Sequence, residues 1–241
     1  MKNVMIIGGT SGIGLSIALN IREAENIYIL GRNEPIANLP NSISYHYFDL
    51  KSFDINYFDK FNHIDTLIIT AGFGKLGLFS EVTDQDIQDY FAVNTVGILR
   101  VIRYFYNSLL NTKNFYCAII GSIAGFMSSP LFAVYASTKA SLRIFIESIN
   151  IELENANTSN RILHVAPGAI KGTAFAGGTN FPEQTTELAK QIIIKLRAKE
   201  DLYIPNYEEI YKDVLERAYN DFREAGRQSY EYKKLSGRLP I

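Results

Sequence analysis

The chain of 241 residues carries 24 Lys and Arg against 25 Asp and Glu, a formal charge of −1. This length is enough to bury a substantial core, and the near-neutral balance excludes bulk attraction to nucleic acid or to an anionic membrane. The single cysteine, Cys117, forbids an internal disulfide and fits a reducing compartment.

The opening "MKNVMIIGG" has an apolar run that stops at Gly8. That is too short for a signal peptide and reads as a first strand over 4–7. No later apolar run approaches the ~18 residues needed to cross a bilayer. A soluble, cytoplasmic protein is expected. "IIGGTSGIG" then sets Gly8, Gly12 and Gly14 in the spacing GxxxGxG, at the mouth of a helix over about 12–24. Gly8 permits a tight turn, Gly12 lets backbone approach a pyrophosphate, and Gly14 permits close helix–strand packing.

Further strands are expected at 27–30 ("IYIL"), 43–48 ("ISYHYF"), 66–70 ("TLIIT"), 117–120 ("CAII") and 162–165 ("ILHV"). Helices over about 84–110, 133–155 and 184–199 lie between them. Such alternation predicts a doubly wound, mainly parallel α/β sheet of about seven strands, with helices on both faces. No linker and no repeat divides the chain, so one domain spanning 1–241 is expected. A last strand, "LYIP" (202–205), precedes a tail helix opened by Asn206 as N-cap, with Glu209 three residues on. Its apolar stripe is Tyr207, Tyr211, Val214, Ala218 and Phe222. The tail, 206–241, is expected to pack on the body or on a subunit partner rather than to bind a ligand.

Within the 133–155 helix, "YASTK" stacks the Tyr135 phenol beside the Lys139 ammonium one turn away. Taken alone, this pair is weak evidence of chemistry. His46, His63 and His164 are scattered, without Cys or carboxylates at metal-ligand spacing, and no metal site is expected.

These motifs together resemble the short-chain dehydrogenase/reductase family over residues 1 to about 205, in order and in register. The GxxxGxG turn is similar to that family's cofactor turn. "ITAG" with Ala71 and Gly72 resembles its NNAG motif, and "VNTVG" supplies Asn94. "GSIAG" supplies Ser122, YxxxK supplies Tyr135 and Lys139, and Pro167-Gly168 follows the sixth strand. Two departures stand out. Ile7 and Thr70 replace the usual Thr and Asn, which removes side-chain hydrogen bonds that brace the turn. The family's Thr five residues beyond the proline is Gly172 here, with Thr173 one place late.

The resemblance implies a Rossmann fold and hydride transfer between a nicotinamide and a carbonyl or secondary alcohol. Tyr135 would be the general acid/base, with Lys139 and the oxidised nicotinamide favouring its phenolate. Ser122 would bond the substrate oxygen, Lys139 the ribose, and Asn94 a water that relays protons. The implied cofactor set is Gly8, Thr10, Ser11, Gly12, Ile13, Gly14, Arg32, Asn33, Asp49, Leu50, Ala71, Gly72, Tyr135, Lys139, Pro167, Gly168, Ile170 and Thr173. Residues 171–184 would form a short lid, and long helices of this kind pair as homodimers or homotetramers in the family.

Two other readings compete. A catalytically silent sensor or scaffold on the same fold would show a broken tetrad. A sugar-nucleotide epimerase or dehydratase would be longer, with a GxxGxxG turn. For the cofactor, "ILGRN" (29–33) puts Gly31 where an NAD-preferring site carries a carboxylate, and Arg32 and Asn33 follow as phosphate donors. NADP(H) is therefore expected over NAD(H), with a small-molecule carbonyl or alcohol as substrate.

Overall fold

Strands that read as unbroken apolar runs must be covered on both faces. In the computed structural model, which describes all residues except 36–37, 62, 174, 176–180 and 236–241, the runs at 4–7, 27–30, 66–69, 117–120 and 162–165 are, while the strands at 43–47 and 202–203 are sheet edges and partly exposed. The sheet has seven parallel strands: β1 (Asn3–Ile7), β2 (Asn26–Gly31), β3 (Ile43–Tyr47), β4 (Thr66–Ile69), β5 (Tyr116–Ile120), β6 (Ile162–Val165) and β7 (Leu202–Tyr203). Their order is β3-β2-β1-β4-β5-β6-β7, so the chain winds outward from β1, returns, and winds out the other way from β4.

Side chains alternate along each strand. Met5, Ile7, Leu67, Ile69, Cys117 and Ile119 face one core, shared with α3 (Ile98–Asn111) and α4 (Ala133–Asn155). Val4, Ile6, Ile68, Ala118, Leu163 and Val165 face the other, shared with α1 (Gly12–Asn20) and α5 (Thr186–Arg197). Cys117 is fully buried, and burial pushes its thiol pKa up, as befits a core residue rather than a nucleophile. Among the described residues no helix is long and apolar enough to cross a membrane.

The helices differ from expectation in instructive places. The first ends at Asn20 rather than about 24, because Ile21 turns extended and Asn20 Nδ2 donates back to the Ser16 carbonyl at 2.7 Å. The pattern over 84–110 is α2 (Asp84–Phe91), a π-helical segment (Ala92–Gly97) and α3 in one run. A 3₁₀ turn at Ile55–Lys60, not expected, is nucleated by Asp54 Oδ1 accepting from Asn56 N at 3.0 Å.

The tail departs most. Asn206 takes the expected N-cap position, and its carbonyl accepts from Ile210 and Tyr211 N, but it sits left-handed, at φ 58° and ψ 36°, with no side-chain capping bond. A π turn (Tyr207–Tyr211) leads into α6 (Lys212–Asn220), and the chain breaks at Asp221 before α7 (Phe222–Leu235). The second tail helix, α7, has its side-chain cap in Asp221, whose Oδ1 accepts from the Arg223 and Glu224 N–H groups at 3.0 Å each. Of the expected stripe, Ala218 is buried and Tyr211 partly so, while Phe222 is 59% exposed.

Candidate active site

Parallel strands in register end together, and the loops beyond their C-termini share one space. Ile7 pairs with Leu30 and Ile69, Ile69 with Ile119, and Ile120 with Val165. The residues one or two places on, Gly8, Gly31, Ala71, Ser122 and Pro167, therefore open onto one cavity of about 940 Å³. It lies at the switch point between β1 and β4, where open sheets of this topology take ligands. Every site residue expected from sequence lines it except Asn94.

At one end is the glycine turn. Gly8 and Gly12 have φ of +89° and +50°, and a Cβ on Gly8 would meet Ala71 N at 2.5 Å. A Cβ on Gly14 would collide with the Gly8 carbonyl, so α1 crosses β1 closely only because no side chain is there. The loss of bracing expected from Thr70 is not what the structure has. Thr70 Oγ1 donates toward Gly8 O at 3.0 Å and Ile7 O at 3.3 Å, and a β-branched hydroxyl thus braces the turn where an amide was expected. The N-terminus of α1 faces the cavity with Ser11 making no side-chain cap bond, a setting that suits a phosphate. Arg32 and Asn33 are exposed at the rim, and neither Arg32 nor Glu34 has an ion pair among the described residues. Asp49 is half-buried and accepts from Lys51 N at 2.9 Å.

In the middle stand Ser122, Tyr135 and Lys139, all buried. Ser122 leaves β5 extended and its Oγ accepts from Ala124 N at 3.1 Å, which leaves its own proton to donate. That donation goes to Tyr135 and pulls the phenol pKa down. Burial is the larger effect and pushes it up to about 12. Lys139 Nζ donates to the Ile120 carbonyl at 3.0 Å and lies 5.7 Å from the Tyr135 ring centroid, and burial pulls the ammonium down to about 8. The pairing read from YxxxK is present, but in the protein alone desolvation outweighs it and the phenol keeps its proton.

Asn94 stands behind the wall. It is fully buried in the π-helical segment, and its side chain ties two elements together. Oδ1 accepts from Phe73 N at 3.0 Å, while Nδ2 donates to Phe73 O at 2.8 Å and Thr138 Oγ1 at 3.3 Å. It fixes the β4 exit against α4. Both amide N–H donors are thereby used, while Oδ1 keeps one lone pair with which a water can still be held. Thr173 reaches the cavity and donates to Ile170 O at 3.0 Å. The expected lid, 171–184, lies partly outside the described residues.

The far end was missed from sequence. The Tyr211 hydroxyl of the tail fills the space where a Gly168 side chain would begin, and Ser229, Tyr232 and Lys233 of α7 complete the wall. The tail packs on the body, as expected, and also lines the cavity. Its stripe signalled burial, but nothing local to the tail shows which loop it covers. Opposite, the rings of Tyr135, Phe132 and Phe175 lie 4.4–5.9 Å apart, in room left by Gly74, whose Cβ would meet all three. Among the described residues no group of three or more His, Cys, Asp or Glu could hold a metal ion.

A family model described as short chain dehydrogenase matches residues 2–183. An uncharacterised oxidoreductase of Staphylococcus epidermidis is 30% identical over 207 residues, covering 79% of this chain and 87% of that one. A probable short-chain type dehydrogenase/reductase of Helicobacter pylori is 26% identical over 184 residues, covering 71% and 67%. Among solved structures, a short-chain dehydrogenase from Streptomyces avermitilis superposes with a TM-score of 0.73 at 19% identity, over 98% of both chains. One from Sphingobium yanoikuyae in complex with NADPH gives 0.73 at 20% identity, over 91% and 94%. At such identities the structural likeness carries the fold, while the family match and the sequence relative carry membership. The chain belongs to the short-chain dehydrogenase/reductase family of oxidoreductases.

Proposed function

We propose that the protein reduces a small-molecule carbonyl with NADP(H), with Tyr135 as the proton donor. The observation that carries this is the buried trio of Ser122, Tyr135 and Lys139 on the wall of a cavity that also holds the glycine turn. At about 940 Å³ the cavity is at the upper end of ligand sites, roughly 300–1,000 Å³, with room for a dinucleotide and a substrate together. A glycine turn in which Gly8 and Gly14 leave no room for a Cβ, beside a helix N-terminus, fits a pyrophosphate.

The hydride is what a bound nicotinamide supplies. The chain's own residues manage the oxygen. Ser122 donates a hydrogen bond to the carbonyl oxygen as charge grows on it, in a site where burial strengthens that bond. Tyr135, whose phenol stays protonated at neutral pH, gives the oxygen its proton. This protonation state is the one that the reductive direction needs. Lys139, fixed by the Ile120 carbonyl, holds the ribose hydroxyls and stands ready to favour the phenolate left behind. Asn94 acts through position, by holding the β4 exit against α4.

The preference for NADP(H) is supported by Gly31 and by Arg32, a guanidinium with no carboxylate partner among the described residues. The Sphingobium relative's complex with NADPH agrees with it. We also expect a homodimer, built on the exposed apolar residues Val96, Ile144 and Ile151 around α3 and α4. The decisive experiment follows NADPH absorbance over a panel of aldehydes and ketones, with wild type and Tyr135→Phe. The variant should lose at least a hundredfold in turnover with cofactor affinity nearly unchanged. Turnover like wild type would end this reading.

A further inference from the structure

The tail meets the body at two places beside the cavity. Its π turn carries Tyr211 and is held by the Asn206 carbonyl, which accepts from Ile210 N at 3.0 Å and Tyr211 N at 3.3 Å. The Tyr211 ring packs with Phe126, Met127 and Leu215 on the buried Ile123, Ala166 and Ile204. Farther on, α7 lies on the loop that runs from Ser122 to Tyr135. Ser128 Oγ donates to the Phe222 carbonyl at 3.3 Å, and Gly226 lets the helix settle against Ser128 and Pro130.

A ring fixed in this way fixes its hydroxyl. That of Tyr211 rests on Gly168, in the room an absent side chain leaves. Gly168 follows Pro167, whose carbonyl accepts from Ile123 N at 3.0 Å, and Ile123 follows Ser122. The hydroxyl thus stands in the cavity wall beside the turn that carries Ser122. It makes no hydrogen bond to any described residue. Burial pushes its pKa up, so it remains a neutral donor at physiological pH. A phenol that has lost part of its water and has no acceptor within the protein gains from an acceptor that a ligand brings.

We infer that Tyr211 is a specificity-determining residue: it donates a hydrogen bond to a second oxygen of the substrate, so the site takes ketones and aldehydes that carry an ester, keto or amide carbonyl close to the reacting one. Ser122 and Tyr135 together serve the reacting oxygen, and a second oxygen has to find its donor elsewhere on the wall. The rings of Phe132 and Phe175 in that wall carry no polar atom. Tyr211 offers a donor whose ring is already immobilised, so that binding costs it little further freedom. Tyr232, on the same wall, is 69% exposed, and its hydroxyl keeps its water. A simple alkyl ketone would cover the Tyr211 hydroxyl without pairing it, which is how a polar site rejects an analogue that lacks the matching group. This assignment rests on the proposed function, which decides which oxygen reacts.

The test uses keto esters and the alkyl ketones that match them in length. Methyl pyruvate is paired with 2-pentanone, methyl acetoacetate with 2-hexanone, and methyl levulinate with 2-heptanone, which moves the second carbonyl stepwise away from the first. For each pair the ratio of kcat/KM values with NADPH, ester over ketone, is measured in wild type and in Tyr211→Phe, which keeps the packed ring. The ratio should fall about threefold to tenfold in the variant for the pair whose spacing fits, the range of one hydrogen bond. Intrinsic reactivity cancels, because the same pair is compared in both proteins. Calorimetric binding of the pairs to NADPH-loaded Tyr135→Phe protein, with and without Tyr211→Phe, reads the bond without turnover. Ratios unchanged in all three pairs overturn the inference and leave the proposed function standing. A loss equal for ester and ketone, with weaker NADPH binding, puts the hydroxyl on the cofactor and overturns it too. If wild type reduces none of these compounds but binds an ester in a Tyr211-dependent way, the inference stands and the proposed function falls.

Discussion

Replacing Lys139 by Met should abolish activity and yet stabilise the fold near neutral pH. Burial holds the ammonium at about 8 against an ordinary 10.5. That difference, at 1.36 kcal/mol per pH unit, comes to ~3 kcal/mol by which the charged side chain strains the folded state below pH 8. Met keeps the volume and removes the charge, but leaves the Ile120 carbonyl without its donor, at a cost of about 1–3 kcal/mol. The net at pH 7 is a gain of roughly 1 kcal/mol for Lys139→Met. The sign of the pH dependence is firmer than the net. Since the folded pKa is depressed, wild type gains stability as pH rises from about 8 toward 10.5, where the unfolded chain holds a proton that the folded chain has released. The variant lacks this contribution, so its advantage should shrink by about 2–3 kcal/mol between pH 7 and pH 10 and change sign within that range. Urea titrations of both proteins at equal concentration, at each half unit of pH, measure the difference directly. A difference that stays constant, or grows with pH, would refute the claim that desolvation governs Lys139.

Arg32→Ala should lower the preference for NADPH over NADH roughly 10- to 100-fold, the range of one or two charge-assisted bonds, read from the ratio of kcat/KM values. Installing the competing carboxylate as Gly31→Asp will need Thr10 shortened as well, since a Cβ at Gly31 meets Thr10 Oγ1 and Cγ2 at 2.9 Å. Gly168→Ala should cost about 1–3 kcal/mol by thermal or chemical melting, because the new methyl collides with the Tyr211 hydroxyl. In a Tyr211→Ala background the same change should cost almost nothing, and an equal cost in both backgrounds would show that the contact is not what limits this position. Light scattering at micromolar concentration should return the mass of a dimer, and Ile144→Glu with Ile151→Glu should shift it to a monomer. A monomeric wild type would show that these exposed side chains cover nothing.

What could be read from the chain alone is what local chemistry dictates. Unbroken apolar runs four to six residues long can only be strands covered on both faces, and the sheet followed from them. The bounds of α4 were legible at both ends, because a continuous apolar stripe has no competing signal within it. Gly8, Gly12, Gly14, Ser122, Tyr135 and Lys139 were legible because each demands a residue type at a fixed offset from a strand end. Three things waited for the tertiary structure, each for a reason. The protonation of Tyr135 is set by burial as much as by its neighbour four residues on, and burial is a property of the packed whole. The work of Thr70 and Asn94 depends on which backbone groups come within reach, across 62 residues to Gly8 and 21 to Phe73. And the tail, whose stripe of Tyr207, Tyr211, Val214, Ala218 and Phe222 said only that it packs somewhere, becomes part of the site because α7 lands on the loop between Ser122 and Tyr135. That docking joins Lys233 to Ser129 over 104 residues of chain, a separation at which no sequence period carries information.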